Sequence, residues 1–194
     1  MSFAGKVRAF RKFVKRRFEF ALVLTFCMLP LQSATLERLS LDEMISKSTA
    51  IVRGKVTGSS AALSGPIVYT HYAVAVSETL KGGPQSFVDV VVPGGVANNV
   101  RQSFAGSPEF KTGDEFVFFL WTGRSGLTQI IGLTQGLFGL AAGPGTSVIA
   151  TRSASRELML ERGTNQQVKD QTLTMSLNEL RARITNVLGG SARQ

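Results

Sequence analysis

Short runs of alternating apolar residues, each closed by a glycine- or proline-rich turn, constrain the fold of this chain more than any other feature of its sequence. Alternate positions of residues 67–80 are mostly apolar, and residues 81–84 then supply a turn. The apolar run 87–92 follows and ends at residues 93–95 (PGG). A period of two is typical of half-buried strands, and short turns join antiparallel strands. The pattern therefore predicts a sheet built from hairpins.

Further stretches carry the strand pattern. Residues 50–56 alternate, and Gly54 within them marks a bend or a close backbone approach. Residues 115–121 are apolar on both faces of the predicted strand, which favours burial on both, with Trp121 at the rim. Shorter strands are predicted at residues 127–133, 136–140 and 147–151, and loops at residues 58–65, 96–108 and 153–174.

Two helices are predicted at the ends of this series of strands. Ser40 and Glu43 have capping-box spacing ahead of a short periodic segment that should stop near residues 48–49. Ser176 and Glu179 repeat the motif ahead of a helix that residues 189–190 (GG) are expected to end. We therefore predict a mainly β fold, an antiparallel OB-like or Greek-key barrel with a short N-terminal helix and a C-terminal amphipathic helix.

The first 34 residues have the order of a signal peptide. Seven Lys and Arg residues precede residue 18, an apolar run fills residues 20–31, and Ser33 and Ala34 follow. The apolar run is shorter than the roughly twenty residues that span a membrane. We predict cleavage after Ser33 or Ala34 and a periplasmic or secreted protein, with a retained leader anchored to the inner membrane by residues 20–31 as the alternative. The predicted parts are a signal peptide (1–34), an OB-like β-barrel domain (35–150), and a polar linker with the C-terminal helix (151–194).

Charge and cysteine content narrow the function classes. The chain has 22 Lys and Arg against 13 Asp and Glu, a formal net charge of +9, but from Thr35 onward the numbers are 15 and 12. The predicted domain thus lacks the basic surplus typical of nucleic-acid binding. The only cysteine of the chain, Cys27, lies in the apolar run of the predicted leader, where Phe26 argues against a lipoprotein signal. Disulfides, a thiol nucleophile and a cysteine metal site are therefore not expected in the mature protein.

Three motifs resemble a known group of proteins. Residues 39–56 have the form of a helix followed by a strand AIVxGKV; residues 78–82 (ETLKG) precede a strand VxVxVPGG; residues 106–115 (GSPEFKTGDE) precede the apolar strand. Over residues 39–140 the chain resembles secreted bacterial proteins of unassigned activity that have an OB-fold. More remotely, it is similar to the netrin-like domain of the tissue inhibitors of metalloproteinases. The resemblance implies an OB-type fold with a binding or inhibitory role. Those inhibitors chelate the protease zinc through an N-terminal cysteine, which has no counterpart here.

The residues that could support catalysis are few. His71 is the one histidine, with Ser64 and Glu78 nearby in sequence, but no Gly-x-Ser-x-Gly elbow is present. A strand histidine facing solvent beside Tyr69 is the expected role. Zinc, calcium-loop and phosphate-loop motifs are also missing, so no metal or cofactor is expected. The acids considered as general acids or calcium ligands are Asp42, Glu43, Asp89, Asp114 and Glu115.

The predicted loop at residues 96–108 is the best candidate for a binding surface, because loops of this length in small domains are often functional. Its residues suited to binding are Asn98, Asn99, Arg101, Gln102 and Phe104. We therefore expect an exported, non-enzymatic binding or inhibitory domain that acts on another envelope or secreted protein, with a protease among the expected partners and membrane contact through a retained leader alone. The alternatives are a structural component of the cell envelope and a hydrolase that uses His71.

Overall fold

The alternating runs form antiparallel strands. The computed structural model describes residues 35–191, so the predicted leader and its cleavage position lie outside the described residues. The described part is mainly β, with antiparallel sheets and one helix near each end, which confirms the predicted fold class. The helices are α1 (Leu41–Lys47) and α2 (Leu177–Ser191). The strands are β1 (Thr35–Glu37), β2 (Ala50–Ser64), β3 (Ile67–Lys81), β4 (Phe87–Pro93), β5 (Gly95–Ala97), β6 (Val100–Gln102), β7 (Glu115–Thr122), β8 (Thr128–Ile130), β9 (Leu137–Ala142), β10 (Val148–Arg152), β11 (Leu158–Leu160), β12 (Gln167–Val168) and β13 (Leu173–Ser176).

One large sheet holds most of these strands. Its order is β13-β10-β9-β7-β2-β3-β4, and β8 also pairs with β7. Two smaller units accompany it: β1 pairs parallel with β11, which pairs with β12, and β5 pairs with β6. Strands β2 and β7 lie in the middle of the large sheet, and each contributes buried residues to a core on either face of it.

The first core is formed by residues of strands β2, β3, β4, β7 and β8. Its buried residues are Val52, Val56, Tyr72, Val74, Val88, Val90, Val92, Phe118, Leu120 and Ile130. Strands β4 and β8 come within contact distance across this core, yet no backbone ladder joins them among the described residues. The expected barrel is therefore open along one seam. Strand β8 has only three residues, and Pro93 at the end of β4 has no N–H to donate, which disfavours a continuous ladder there.

The second core lies between the other side of the sheet and the two helices. Its buried residues are Leu39, Met44, Ile45, Ile51, Val117, Phe119, Phe138, Ala150, Leu177, Leu180 and Ile184. Phe118 and Phe119, adjacent in β7, are fully buried in the first and second core, respectively. The expectation that this strand is buried on both faces is confirmed.

Both helices begin at the capping boxes seen in the sequence. The Glu43 backbone N–H donates to Ser40 Oγ (3.2 Å), and the Ser40 N–H donates to Glu43 Oε2 (2.9 Å). The Glu179 N–H donates to Ser176 Oγ at 3.1 Å, and the Ser176 N–H donates to Glu179 Oε2 at 2.7 Å. At the other end of α1, the Lys81 ammonium donates to the carbonyl of Ile45 at 2.7 Å, and burial lowers the pKa of Lys81. A cation thus satisfies a carbonyl that the helix leaves unpaired.

Acid is expected to weaken both caps. Hydrogen bonds from the Ser40 backbone and hydroxyl lower the pKa of Glu43, and those from Ser176 lower the pKa of Glu179. Such a glutamate stabilises the fold above its unfolded pKa, and that contribution is lost as the pH falls through the lower folded pKa. Urea unfolding at about pH 7 and about pH 3 should therefore show a weaker pH dependence in a Glu43→Gln, Glu179→Gln double variant than in wild type. Equal pH dependence in the two proteins would contradict this account.

The N-terminal strand is held by a buried glutamine. Gln135 accepts a hydrogen bond from the Leu39 N–H (2.8 Å) and donates to the Glu37 carbonyl (2.9 Å). Two ion pairs on the helix side add to this attachment: Arg181 binds Glu78 of β3 through two nitrogens, and Arg183 binds Asp42 of α1. The segment before α1 and the C-terminal helix are therefore fixed to the same layer.

Three sequence predictions are wrong. Residues 58–65 are not a loop, because β2 runs to Ser64 and turns at Gly65, whose φ is 60°. Residues 153–174 are not a loop with a frayed helical turn, since β11 pairs with β1 and with β12, and the start of β13 pairs with β10. Helix α2 continues through its two glycines to Ser191, because glycine permits the left-handed turn that ends a helix but does not require it. Residue 150, the predicted domain boundary, lies within β10.

Candidate functional site

The predicted binding loop at residues 96–108 begins with a β-hairpin, which corrects the sequence prediction. Strands β5 and β6 pair through Gly95–Gln102, Val96–Arg101 and Ala97–Val100. Asn98 and Asn99 form the turn with φ values of 49° and 61°, both in the left-handed region. Two consecutive residues with positive φ are typical of the tight hairpin turn whose twist matches its strands, and asparagine tolerates that region well. We call residues 95–102 the Asn-Asn hairpin.

The hairpin rests on the end of the β2–β3 pair. Gly94 donates its N–H to the Val68 carbonyl (2.7 Å), and the Thr70 hydroxyl donates to the Gly94 carbonyl (2.7 Å). Gly95 has φ 127°, and a Cβ there would lie 2.4 Å from Thr70 Oγ1. The positive φ and the close approach of the Thr70 side chain therefore require glycine at this position.

Gln102 fixes the second strand of the hairpin. Its Oε1 accepts from the Val68 N–H (2.6 Å), and its Nε2 donates to the Pro66 carbonyl (2.8 Å). The Gln102 side chain thus takes the place of a neighbouring strand where β4 has ended. Among the predicted binding residues, Gln102 holds the hairpin in position.

A cleft of about 230 Å³ opens between the hairpin and the loop that follows it. Tyr72 and Phe110 line it and pack edge to face, with ring centroids 4.8 Å apart. Arg101, Phe104 and Glu109 also line the cleft. Neither Arg101 nor Glu109 belongs to an ion pair with any residue in the described range. The cleft therefore combines aromatic surface with two charged groups that are not paired within the fold.

Exposed apolar side chains concentrate around the hairpin. Leu63, Val96, Val100 and Phe104 are 38–50% exposed, and within the described range two other large apolar side chains, Phe87 and Trp121, are exposed. Leu63 is at the end of β2, and the other three belong to the hairpin and its following loop. A group of exposed apolar residues on a well-held element is typical of a protein-binding surface.

Trp121 lies at the far end of β7 and does not line the hairpin cleft. It is 47% exposed, and its ring covers Gly123, where a Cβ would lie 2.8 Å from the ring. The structure thus places the predicted rim aromatic at the surface but apart from the residues that line the cleft.

His71 has a partner that the sequence did not single out. Its Nδ1 lies 2.7 Å from Asp89 Oδ2 on the adjacent strand, and the side chain is 31% exposed. Ser64 instead pairs with Ile67 beside the turn between β2 and β3, and Glu78 binds Arg181, so neither contacts His71. The register of the predicted hairpin could have indicated Asp89, because residues on neighbouring strands that share a face lie close together. Ser60 is opposite His71 in the register, but no hydrogen bond links the two side chains.

The remaining acids take part in local structure. Asp42 and Glu43 belong to helix α1, Glu115 binds Arg53 at 2.7 Å, and Asp114 accepts from the Lys111 N–H in a turn. Across residues 35–191 no three His, Cys, Asp or Glu side chains are grouped as metal ligands, and none of the helices there has the length and apolarity to cross a bilayer.

Replacement of Gly95 by valine is expected to displace the hairpin. The new side chain would clash with Thr70 and force a β-branched residue to a positive φ, which should lower the free energy of unfolding by about 1–3 kcal/mol. Gly83→Val is the matched control, because a Cβ there meets no atom within 4 Å. Urea unfolding should separate the two variants, and amide hydrogen exchange at Val68 should be faster in Gly95→Val alone. Similar behaviour of both variants would show that Gly95 is not a docking position.

No family model, curated protein or solved structure matches this chain.

Proposed function

We propose that the chain is an exported, non-enzymatic binding domain, and that the Asn-Asn hairpin with its cleft binds another envelope or secreted protein. The observation that carries the proposal is the concentration of Leu63, Val96, Val100 and Phe104 at the surface around one hairpin. Exposure of an apolar side chain of this size to water is unfavourable, by about 1.5–3 kcal/mol when the side chain is fully exposed. A partner that covers these side chains removes that cost.

The way the hairpin is held supports the same function. Gly95 and Gln102 fix it to the β2–β3 pair through backbone contact and two side-chain hydrogen bonds. A surface that is already ordered loses little conformational entropy on binding, so more of the contact energy remains as affinity. Arg101 and Glu109 beside the apolar residues supply charges that could select one partner orientation, as rim charges do in other interfaces.

The experiment is a capture followed by an affinity measurement. The full chain is expressed with its own leader, purified from the compartment where it accumulates, and immobilised; exported proteins of the same host that bind are identified by mass spectrometry and purified. The variant Val96→Ser, Val100→Ser, Phe104→Ser should bind the identified protein at least tenfold more weakly than wild type. Phe87→Ser is the control, because Phe87 is equally exposed but belongs to β4.

Two results would refute the proposal. One is a captured partner that binds the triple variant and wild type equally well. The other is the absence of any specific partner, which would favour a structural role in the envelope. Turnover of an ester or peptide that His71→Ala abolishes would instead establish the hydrolase alternative.

A further inference from the structure

Strand β2 extends well beyond the strand that covers its outer edge. Strand β7 pairs with β2 from Ala50 to Lys55, and Val56 completes this edge by exchanging hydrogen bonds with Gly113 and Asp114. From residue 57 to residue 64, β2 continues to pair with β3 on its other side. This part of β2 is therefore an edge strand of eight residues, about 26 Å long.

The backbone along this edge is available for pairing. Within the described range, residues 57–64 make no backbone hydrogen bond other than those to β3. Six of the eight residues are exposed. Alternate residues of an edge strand direct their N–H and C=O groups away from their one neighbour, so a row of donors and acceptors faces outward here. The complementary ligand for such a row is another extended backbone.

The edge lacks the features by which proteins usually prevent such pairing. Residues 57–64 (TGSSAALS) contain no charged residue and no proline. The edge strand β4 at the end of the sheet, in contrast, contains Asp89 and Pro93, and β13 at the other end has four residues. Charges, prolines and short length are the common protections of sheet edges. The β2 edge has none of these three, although it is longer than either, and a register shift between Val56 and Gly58 marks its inner end.

We propose that this edge pairs with the same edge of a second copy of the chain, and that the protein is a two-fold symmetric dimer. Pairing about an axis perpendicular to the sheet is antiparallel and keeps each residue on its own face. With the axis at Ala61, Ser60 lies opposite Ala62 of the second copy, and Ser59 lies opposite Leu63, which is exposed in the monomer. The result is a continuous four-stranded sheet made of β3 and β2 from each copy.

Charge favours a second copy as the occupant. The edge carries no charge, so two identical edges meet without repulsion, and no complementary charged partner is selected. The side chains that meet across the axis are hydroxyls and methyl groups, which allow two backbones to approach to the strand spacing. A single added strand pair buries less than the roughly 1,200 Å² of a standard interface, so we expect a dimer that dissociates on dilution into the micromolar range.

The test compares two variants of equal charge. Ser60→Lys, Ala62→Lys places like charges directly opposite each other in the dimer, whereas Thr164→Lys, Gln166→Lys adds the same charge to an exposed loop. The full chain of each is expressed with its leader, purified from the compartment where it accumulates and its intact mass recorded. Sedimentation equilibrium over a concentration series then measures the oligomeric state, and circular dichroism confirms that each variant is folded.

The proposal predicts twice the monomer mass at high concentration for wild type and for the loop variant, and the monomer mass for the edge variant. A wild type that stays monomeric at every concentration would overturn it, as would a folded edge variant that still dimerises. If wild type is monomeric and the edge variant loses a partner captured by wild type, the edge binds a strand of another protein and the second-copy proposal fails. The dimer covers Leu63, which the proposed function also counts in the hairpin surface, so the two proposals are distinguished by their variants: Val96→Ser, Val100→Ser, Phe104→Ser should leave the dimer mass unchanged.

Discussion

Asp170→Ala is expected to lower the free energy of unfolding by about 3–5 kcal/mol, the typical loss when one member of a buried ion pair is removed. Asp170 Oδ1 lies 2.7 Å from an Arg152 terminal nitrogen, and the two side chains are 2% and 4% exposed. The other carboxylate oxygen accepts the Ser155 N–H at 2.8 Å. The substitution would leave the Arg152 charge buried, with the Gln171 carbonyl as its remaining partner (2.6 Å).

Two controls distinguish the cost of a buried unpaired charge from the cost of losing an ion pair. Arg152→Met, Asp170→Leu removes both charges and should lower the free energy of unfolding less than Asp170→Ala, since no unpaired charge remains. It also eliminates the buried Arg152 Nε, which has no hydrogen-bond partner among residues 35–191. Arg183→Ala breaks the exposed pair with Asp42 and should cost about 0–1 kcal/mol. Urea unfolding followed by circular dichroism measures all three. If Asp170→Ala proves no worse than Arg183→Ala, the pair contributes little to stability.

Phe118→Ala should be of similar severity, with a loss of about 3–5 kcal/mol, because it opens a large cavity in a core that cannot collapse to fill it. The Phe118 side chain is fully buried in the first core. Its ring packs edge to face against Phe116 at 5.5 Å and against Phe110 at 5.8 Å between centroids. The substitution therefore removes aromatic contacts as well as buried area.

Phe87→Ala removes the same side chain from an exposed position and should change stability by less than about 0.5 kcal/mol. The free energies of unfolding of the two variants are compared by urea denaturation, with one m-value used for both. Comparable losses for the two variants would mean that the first core is not the main source of stability. Because Phe110 also lines the hairpin cleft, Phe118→Ala should in addition weaken partner binding, whereas Phe87→Ala should not.

Local patterns predicted the elements whose determinants are local. The alternation in β3 and β4, the double-sided apolar run of β7 and the two capping boxes were read directly from the sequence because period and capping chemistry act over a few residues. The end of β2 was not predicted from residues 58–64, because Gly, Ser and Ala have weak strand propensity. Pairing with β3 holds these residues in the strand.

Local sequence patterns could not predict pairings between residues that are far apart in the sequence. Strands β11 and β12 consist of two or three residues in a polar segment, and β11 exists because Thr35–Glu37 runs beside it. The buried Arg152–Asp170 pair also requires the fold before the two residues can be identified as partners. At the candidate site, the sequence indicated the segment and most of its residues. The hairpin could have been predicted as well, because asparagine tolerates the positive φ that both central residues of a tight hairpin turn require.

The attachment of β1 has a consequence for how fast the chain folds. Leu39 bonds to a residue 96 positions away, and Asp42 of helix α1 pairs with a residue 141 positions away. Contacts of such high sequence separation require closure of long loops before they contribute any stability, and proteins rich in them fold in roughly milliseconds to seconds rather than microseconds. We therefore expect the second core, which joins the N-terminal segment to the C-terminal helix, to form late in folding.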